Sequence, residues 1–324
     1  MNRCLGCGII MQDSNPSKEG YTRNLENKFC ERCFRIKNYN DYIVSDKTNE
    51  EYLKKIDYIG KTNDLVLLTV DFLNIIELDK INIKNPVILV FTKRDLLPRS
   101  VIEEKFLKKI KCKLNVKKII FISSKNNYHL DELYYLINKY KVSENVYLIG
   151  LTNSGKSTLI NKILKNYSEN EGNITTSNMP STTLDFIEKR VDDNLVLIDT
   201  PGLLDDGNII FKTDKENMKK IIPTKEINPI IFQVKCAQTI LIEDILRLDL
   251  DKNNIIIYMS NNLKIDRIYK ENDKLSNLKC HIINIKDNED LVIKGLGFIK
   301  FKYKCNIKLY LNKDVKYFIR NSLV

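Results

Sequence analysis

The chain has 324 residues, of which 43% are hydrophobic and 29% charged, and its formal net charge is +11. This composition is that of a soluble globular protein with about two or three domains. No apolar run approaches the length of a membrane span and the first residues have no signal-peptide core, so we expect a cytoplasmic protein without a membrane partner. The basic excess lies mostly in residues 211–324, which hold 22 basic and 14 acidic residues.

Two Cys-x-x-Cys pairs stand near the start of the chain, Cys4 with Cys7 and Cys30 with Cys33. Each pair can place two thiolates on one metal ion, and two pairs complete the tetrahedral four-cysteine site that Zn²⁺ prefers in structural modules. An iron–sulfur cluster or disulfide bonds are the alternatives, and a cytoplasmic location argues against disulfides. We therefore predict a zinc module near residues 1–45, with no metal position left open for catalysis.

Two apolar runs follow, in residues 64–71 and 86–92, and both predict buried strands. The second ends at Thr92, which is followed by Lys93 and, two positions later, by Asp95. A carboxylate just past the end of a strand can accept hydrogen bonds from N1 and the exocyclic amine of guanine, because an ionised carboxylate is purely an acceptor. Asp95 is therefore the candidate base-selecting residue, although a Lys and an Asp in a loop are often only solvated.

A third strand is predicted over residues 118–123, and its end offers a second loop that could contact guanine. This loop contains Ser123, Ser124 and Lys125. A helical pattern follows in residues 129–140.

The next pattern is strand, loop and helix, and it reads as a phosphate-binding loop. Two glycines frame four residues, and Lys-Ser closes the motif. In such a loop backbone N–H groups cradle phosphate at a helix N-terminus, the Lys reaches the β- and γ-phosphates, and the Ser hydroxyl binds Mg²⁺. A chance Gly-rich turn is the alternative, but it does not explain the flanking strand and helix patterns. The predicted phosphate-binding residues are Gly150, Asn153, Ser154, Gly155, Lys156, Ser157 and Thr158.

Two further segments supply candidate magnesium ligands. A polar loop after residue 169 offers the Thr183 hydroxyl, and the apolar strand 195–199 ends in Asp199, 42 residues after Ser157. At this spacing a Walker-B-type Asp can reach the same Mg²⁺ through water, with the Gly202 N–H sensing the γ-phosphate. Read alone, the Asp-Thr-Pro-Gly tetrapeptide is also a β-turn.

The last third of the chain is a series of short β-like runs. From Ile299 to Leu309 apolar and polar residues alternate strictly, so a single strand would have one core face and one face of lysines. Such a row could follow a phosphate backbone, and an edge strand protected by lysines is the alternative. The predicted RNA contact consists of Lys300, Lys302, Lys304 and Lys308.

The order of these elements leads to a resemblance. The base-reading motif comes first, the phosphate loop second, and the magnesium and γ-phosphate motifs last, which is the order of a circularly permuted GTPase. The cysteine pairs, together with residues 37–40, 95–100, 225–229 and 295–298, are similar to the YqeH family of bacterial small-subunit ribosome assembly GTPases. The resemblance spans the chain and is thinner after residue 240.

This resemblance implies slow GTP hydrolysis coupled to maturation of the 30S subunit, with a C-terminal domain that binds RNA. In the family the residue after the Asp-x-x-Gly motif is apolar rather than a catalytic Gln, and here it is Leu203. Related GTPases use an Asn of the phosphate loop, matched by Asn153, to hold a stimulating K⁺ ion. Thr92 and Ser124 depart from the usual Asn and Ala, which predicts weaker guanine binding, and the C-terminal part is shorter than in the family.

We therefore predict an α/β chain in three parts: an N-terminal zinc module (1–45), a circularly permuted P-loop GTPase domain with a parallel sheet (46–210), and a small β-rich C-terminal domain that binds RNA or the ribosome (211–324). The expected ligands are GTP or GDP, Mg²⁺, Zn²⁺ and K⁺, and the expected partner is the 30S subunit with its 16S rRNA. We expect a monomer off the ribosome. Two alternatives are a P-loop ATPase or kinase, and a zinc-stapled RNA-binding protein whose nucleotide site does not turn over. The predicted catalytic residues are Lys156, Asn153 and Thr183.

Overall fold

The computed structural model describes most of the chain, in the ranges 2–4, 9–16, 18, 20–31, 34, 56–74, 82–110, 113–151, 153–168, 176–178, 186–200, 207–269 and 273–324. It divides into two units. The first comprises Met1–Val70, Asp79–Thr92 and Lys113–Leu204, and the second comprises Asp71–Leu78, Lys93–Cys112 and Asp205–Val324.

A seven-stranded sheet forms the centre of the first unit. In chain order its strands are β1 (Leu65–Asp71), β2 (Val87–Thr92), β3 (Val116–Phe121), β4 (Asn145–Gly150), β5 (Thr176–Asn178), β6 (Ile187–Asp192) and β7 (Leu195–Asp199). Their order across the sheet is β3-β2-β1-β4-β7-β6-β5. The pairs β2–β3, β1–β4 and β4–β7 are parallel, whereas β6 is antiparallel to both β5 and β7.

The apolar runs found in the sequence form the middle of this sheet. Every residue of β1, β2 and β7 is buried, as a parallel sheet covered on both faces requires. Helices cover part of the sheet, and their apolar side chains lie in the same core as those of the strands. Four α-helices lie wholly within the described residues, α1 (Glu103–Leu107), α2 (Leu130–Tyr140), α3 (Lys156–Tyr167) and α4 (Lys215–Ile221), and α2 and α3 contribute to this core.

The second unit contains two five-stranded antiparallel sheets. Their orders are β12-β9-β10-β16-β13 and β17-β14-β15-β11-β8. The strands are β8 (Ile230–Val234), β9 (Gln238–Ile242), β10 (Leu246–Leu250), β11 (Asn253–Met259), β12 (Ile265–Ile268), β13 (Lys279–Ile285), β14 (Glu289–Ile293), β15 (Gly297–Phe301), β16 (Cys305–Leu311) and β17 (Tyr317–Asn321). The predicted α/β class, with a parallel sheet and a separate β-rich part, is thus confirmed.

The single strand predicted from Ile299 to Leu309 is wrong. β15 ends at Phe301 and β16 begins at Cys305, and the two strands belong to different sheets. The alternation continues through the connecting turn because Tyr303 happens to occupy an apolar position of the pattern, yet its side chain is 48% exposed. The four predicted lysines therefore do not form one row.

Lys300 differs most from the prediction, because its side chain faces a partly buried polar cluster. It is paired with Asp290 across β14 and β15, and Asp290 in turn is paired with Arg320 of β17. Burial lowers the pKa of Lys300. Lys302 and Lys304 lie in the exposed turn, and Lys308 lies on β16.

Residues 205–210 and two earlier segments, all within the predicted range 46–210, fall in the second unit, and the predicted domain bounds remain predictions. Residues 71–78 and 93–112, the second of which contains Asp95, belong to the unit that holds the C-terminal sheets. The reason is a shared apolar contact: the ring of Phe72 lies 5.0 Å from that of Phe106 and 6.1 Å from that of Phe298 on β15.

Candidate nucleotide site

The phosphate-binding motif lies at the end of β4, the central strand of the first sheet. β4 ends at Gly150 and α3 begins at Lys156, so the loop leads directly into a helix N-terminus, where N–H groups attract anions. Within the loop Asn153 and Gly155 have φ angles of 65° and 87°. This left-handed backbone is easy for glycine and tolerated by Asn, which explains both residue types at these positions.

Gly150 is required by the close approach of β1. A Cβ atom at this position would overlap the Thr69 hydroxyl and lie 2.5 Å from the Thr69 carbonyl oxygen. The first glycine of the motif therefore allows strand β4 to turn into the loop against β1.

Two threonines hold Ser154 from neighbouring strands. The hydroxyls of Thr69 and Ser154 lie 2.7 Å apart, and the Thr92 hydroxyl donates to the Ser154 carbonyl oxygen at 2.7 Å. All three residues are buried, so these contacts are made away from water. Thr92, which stands where the family has Asn, thus connects the end of β2 to the phosphate loop through its single hydroxyl. Thr69 was not predicted, since nothing in its apolar run distinguishes it from a core residue.

Lys156 is buried and points back into the loop. Its ammonium donates to the carbonyl oxygens of Gly150 at 3.0 Å and Leu151 at 3.2 Å. Burial lowers the pKa of Lys156, and the charge of Asp199 opposes that shift. A cation held beside a ring of loop N–H groups is the arrangement that binds the phosphates of a nucleotide.

Ser157 and Asp199 meet as the sequence predicted for magnesium ligands. The Ser157 hydroxyl donates to Asp199 Oδ2 at 3.4 Å. Asp199 Oδ1 is buried and has no hydrogen-bond partner within the described part of the chain. Burial raises the pKa of Asp199, while Lys156 and Lys189 lower it. A hydroxyl beside a carboxylate with an unused oxygen fits a Mg²⁺ ion, which prefers oxygen ligands.

Lys189 is a buried cation that the sequence analysis missed. It lies on β6, paired with Leu197 of β7, and its ammonium donates to Asn161 Oδ1 of α3 at 3.1 Å. Burial lowers the pKa of Lys189 and the charge of Asp199 raises it, so the two charged groups interact electrostatically. The signal was present, because Lys189 stands between Ile187 and Val191 on the inward side of an alternating strand.

The predicted base-reading residues after Thr92 belong to the second unit. Lys93 has a left-handed backbone with φ of 60°, and its ammonium forms an ion pair with Asp71 at 2.7 Å. Asp95 lies in the short 3₁₀ helix Arg94–Leu96 and is partly exposed. The Leu96 carbonyl oxygen accepts a hydrogen bond from Ile227 N at 2.9 Å, which fixes this helix to the rest of its unit.

The second predicted guanine loop follows β3 in the first unit. Ser123 is buried and exchanges two backbone hydrogen bonds with Tyr128, at 3.1 and 3.2 Å, which closes a tight loop. Ser124 is partly exposed and Lys125 is exposed, so both lie at the surface of that loop. Thr158 is exposed in the first turn of α3. Thr183 and Gly202 lie outside the described residues.

Half of the predicted zinc site is described. Cys4 and Cys30 are buried, and Cys30 N donates to Cys4 Sγ at 3.1 Å, so the two pairs approach each other as a shared site requires. Cys7 and Cys33 lie outside the described residues. Among the residues that are described, no group of three or more Cys, His, Asp or Glu is arranged to hold a metal ion.

Within the same ranges, no helix has the length and apolar character needed to cross a membrane.

Comparison with known proteins places this geometry in a family. Residues 145–262 match the family model described as a 50S ribosome-binding GTPase. The chain is 32% identical to YqeH of Bacillus subtilis over 99% of both chains. It is 26% identical to NO-associated protein 1 of Arabidopsis thaliana, over 52% of this chain and 36% of the relative. It is also 29% identical to GTPase Era of Ureaplasma urealyticum, over 56% of this chain and 58% of the relative.

These similarities confirm the predicted resemblance. The match to YqeH includes nearly the whole of both chains, and the matched family model adds a GTPase domain that contains the phosphate loop and Asp199. The alternative of an ATPase or kinase is not favoured by relatives that are themselves GTPases. The chain therefore belongs to the YqeH family.

Proposed function

We propose that this protein hydrolyses GTP slowly and that its nucleotide state controls binding to the 30S subunit and its 16S rRNA during assembly. The observation that carries the enzymatic part is the meeting of Ser157 with Asp199 beside a loop held by Thr69 and Thr92. The ribosomal part is supported by the match of residues 145–262 to a family model described as a 50S ribosome-binding GTPase, and the choice of the 30S subunit rests on the resemblance to the YqeH family.

The residues of the loop divide the work of phosphoryl transfer. Lys156 exchanges its contacts with the Gly150 and Leu151 carbonyls for β- and γ-phosphate oxygens, which stabilises the charge that develops there. Ser157, Asp199 and Thr183 would hold Mg²⁺, and this ion would further neutralise the phosphate charge when bound. The apolar Leu203 leaves orientation of the attacking water to other groups.

Asn153 is the residue that we propose holds a K⁺ ion. Its left-handed backbone places it at the bend of the loop, and its amide oxygen is a suitable ligand for a hard cation. Such an ion supplies positive charge in place of an arginine finger. Asn153→Ala should therefore keep nucleotide binding and remove K⁺ stimulation, and equal rates of the parent protein in Na⁺ and K⁺ would contradict the assignment.

Asp95 is the proposed base-selecting residue, with Lys93, Ser123, Ser124 and Lys125 as the other parts of the guanine site. Competition between unlabelled GTP and ATP for a fluorescent nucleotide tests the choice of base directly. Asp95→Asn exchanges a carboxylate for an amide, which suits xanthine better than guanine. If this variant keeps the parent's affinity for GTP, the assignment is wrong.

We further propose that the GTPase domain is circularly permuted. The support is the order of the strands: β2, which leads into the proposed base-reading residues, precedes the phosphate-loop strand β4 in the chain, and in the sheet β4 lies next to β7 and one strand away from β2. Because Asp199 is followed within a few residues by Asp205, where the last segment of the second unit begins, loss of the γ-phosphate can act directly on that segment.

Zn²⁺ is the proposed ligand of Cys4, Cys7, Cys30 and Cys33. The N–H group directed at Cys4 Sγ supports this, because such hydrogen bonds stabilise metal-bound thiolates. Elemental analysis should find one zinc per chain, and Cys4→Ser should lose it while GTP binding persists. Cys305→Ser, a change to a partly buried cysteine of the second unit, is the matched control and should keep the metal.

The decisive experiment measures phosphate release and sedimentation together. We expect hydrolysis to accelerate with isolated 30S subunits, and we expect the protein, a cytoplasmic monomer off the ribosome, to sediment with 30S particles more strongly with a GTP analogue than with GDP. Sedimentation with 50S particles instead would overturn the choice of subunit. Nucleotide binding without any phosphate release would favour the zinc-stapled RNA-binding protein whose nucleotide site is structural.

A further inference from the structure

We infer that single-stranded RNA is bound at one end of the two C-terminal sheets, on a surface made by four turns. The turns are residues 235–237, 251–252, 286–288 and 302–304, and each connects a strand of one sheet to a strand of the other. We call this surface the turn end. The inference deepens the proposed function, on which it rests, by naming where the RNA backbone lies.

Side-chain and backbone contacts bring the four turns together. The Asn253 side chain donates to the Tyr303 carbonyl oxygen at 2.7 Å and accepts from Tyr303 N at 3.2 Å. Lys304 N donates to Asp287 Oδ1 at 2.7 Å, which joins the third turn to the fourth. The first turn lies beside the second, because Val234 pairs with Asn253 and Gln238 pairs with Leu250.

The charge of the turn end is strongly positive. All the residues of the four turns are exposed, and the charged ones are five lysines and two aspartates: Lys235, Lys252, Lys286, Lys302, Lys304, Asp251 and Asp287. At the opposite end of the sheets, the connecting residues carry four lysines and three acidic residues. These connections are residues 243–245, 260–264, 294–296 and 312–316. The net charge of the four turns is thus +3, against +1 for the turns at the opposite end, and this excess can neutralise phosphates.

One aromatic side chain points to single strands rather than duplexes. The Lys302 ammonium lies 5.3 Å from the centre of the Tyr303 ring, and that side chain is 48% exposed on a backbone held by Asn253. Exposed aromatic rings among cations stack on unpaired bases, whereas the bases of a duplex are already stacked on each other. In the proposed site the lysines therefore contact RNA phosphates, and one unpaired base stacks on the Tyr303 ring.

The test uses the full-length protein and a fluorescein-labelled 15-nucleotide oligouridine. The Lys302→Glu, Lys304→Glu double variant should bind this RNA about tenfold more weakly or worse, and its log–log salt slope should be flatter by about 1.4, since each phosphate contact on a single strand contributes about 0.7. Tyr303→Ala should weaken binding about fivefold or more through loss of stacking. The matched control is Lys264→Glu, Lys313→Glu, which makes the same charge change beyond the far ends of β11 and β16.

The outcomes separate the surface from the function. A fluorescent GTP analogue should bind all variants alike, which also shows that they are folded. Lys235→Glu, Lys286→Glu provides a second variant, on two of the other three turns. If the parent binds oligouridine but the turn-end variants bind no worse than the control, the turn end is not the RNA site. If the parent binds neither oligouridine nor small subunits, the proposed function fails with it. A duplex of equal length that binds as tightly as oligouridine would overturn the role of Tyr303.

Discussion

Thr92 donates a hydrogen bond of 2.7 Å to the Ser154 carbonyl oxygen, and this contact joins the end of strand β2 to the middle of the phosphate loop. Both residues are buried, so the carbonyl has no water to replace the hydroxyl. Thr92, whose replacement of the usual Asn predicts weaker guanine binding, therefore also stabilises the phosphate loop.

Thr92→Val tests this tie, because it removes the hydroxyl and keeps the shape. A buried carbonyl left without its donor costs about 1–3 kcal/mol, so both GTP and GDP should bind about tenfold more weakly and the free energy of unfolding should fall. Thr62→Val, which removes a hydrogen bond of 2.8 Å to the Ile59 carbonyl away from the loop, is the control and should lower stability only. Unchanged nucleotide titrations for Thr92→Val would show that the loop keeps its shape without the hydroxyl.

Gly150→Ala should abolish nucleotide binding. Its Cβ would overlap the Thr69 hydroxyl and also lie 2.5 Å from the Thr69 carbonyl oxygen, so either the loop or strand β1 must move. For the same reason Thr69→Ala should not rescue it, since the backbone oxygen remains. Gly60→Ala has open space around the new Cβ and should leave binding intact. Calorimetric titration with GDP checks all four proteins, and rescue by Thr69→Ala would show that only the side-chain contact matters.

Lys189→Met should make the stability of the protein more dependent on Mg²⁺ and nucleotide. The ammonium helps to offset the buried charge of Asp199, and in its absence that role passes to Mg²⁺. We expect a loss of about 1–3 kcal/mol without ligands and a smaller loss with Mg²⁺ and GDP. Asn161→Ala removes the hydrogen-bond partner of Lys189 but keeps the charge, so its effect should be equal in both conditions. Thermal unfolding of the three proteins, each with and without ligands, distinguishes these cases.

Phe298→Ala should weaken guanine-nucleotide binding, although it changes a residue of the C-terminal sheets. Its ring contacts Phe72, which packs on Phe106 in the segment that carries Asp95, so its loss should loosen the segment that we propose reads the base. Phe301→Ala removes an equally buried ring from the opposite face of β15. Both should cost about 3–5 kcal/mol of stability, but only Phe298→Ala should raise the Kd for GTP. Equal affinities of the two variants, measured at a temperature where both are folded, would contradict this coupling.

Tyr147→Phe should reduce the loss of stability at high pH. Burial raises the pKa of Tyr147 from 10.0 to about 12, with the nearby Tyr58 and acidic groups adding to the shift. Between these values the unfolded chain loses a proton that the folded chain keeps, so the free energy of unfolding falls as pH rises from about 10 to 12. Urea unfolding across this interval should show a shallower fall for Tyr147→Phe than for the parent. Parallel curves would place the ionisation elsewhere.

The nucleotide-binding residues could be predicted from the sequence because their motifs depend on the spacing of residues close together in the chain. A phosphate loop is a strand, a short loop and a helix in succession, so Gly150 to Ser157 can be recognised without knowing what surrounds them. Asp199 could be predicted just as readily, because it ends an apolar run in the sequence. Lys189, in contrast, lies in a strand of mixed character, and only its inward position among apolar neighbours distinguishes it from a surface lysine.

The sequence by itself determined the α/β class, the GTPase motifs and the paired cysteines, since each depends on residues close together in the chain. Tertiary structure decided the contacts that join distant segments: the hydroxyls of Thr69 and Thr92 on Ser154, and the packing of the Asp95 segment with the C-terminal sheets. It also decided the position of the lysines. Alternation reports which side of a strand is buried but does not show where the strand ends, and at Tyr303 the Asn253 side chain holds a turn that the pattern does not reveal.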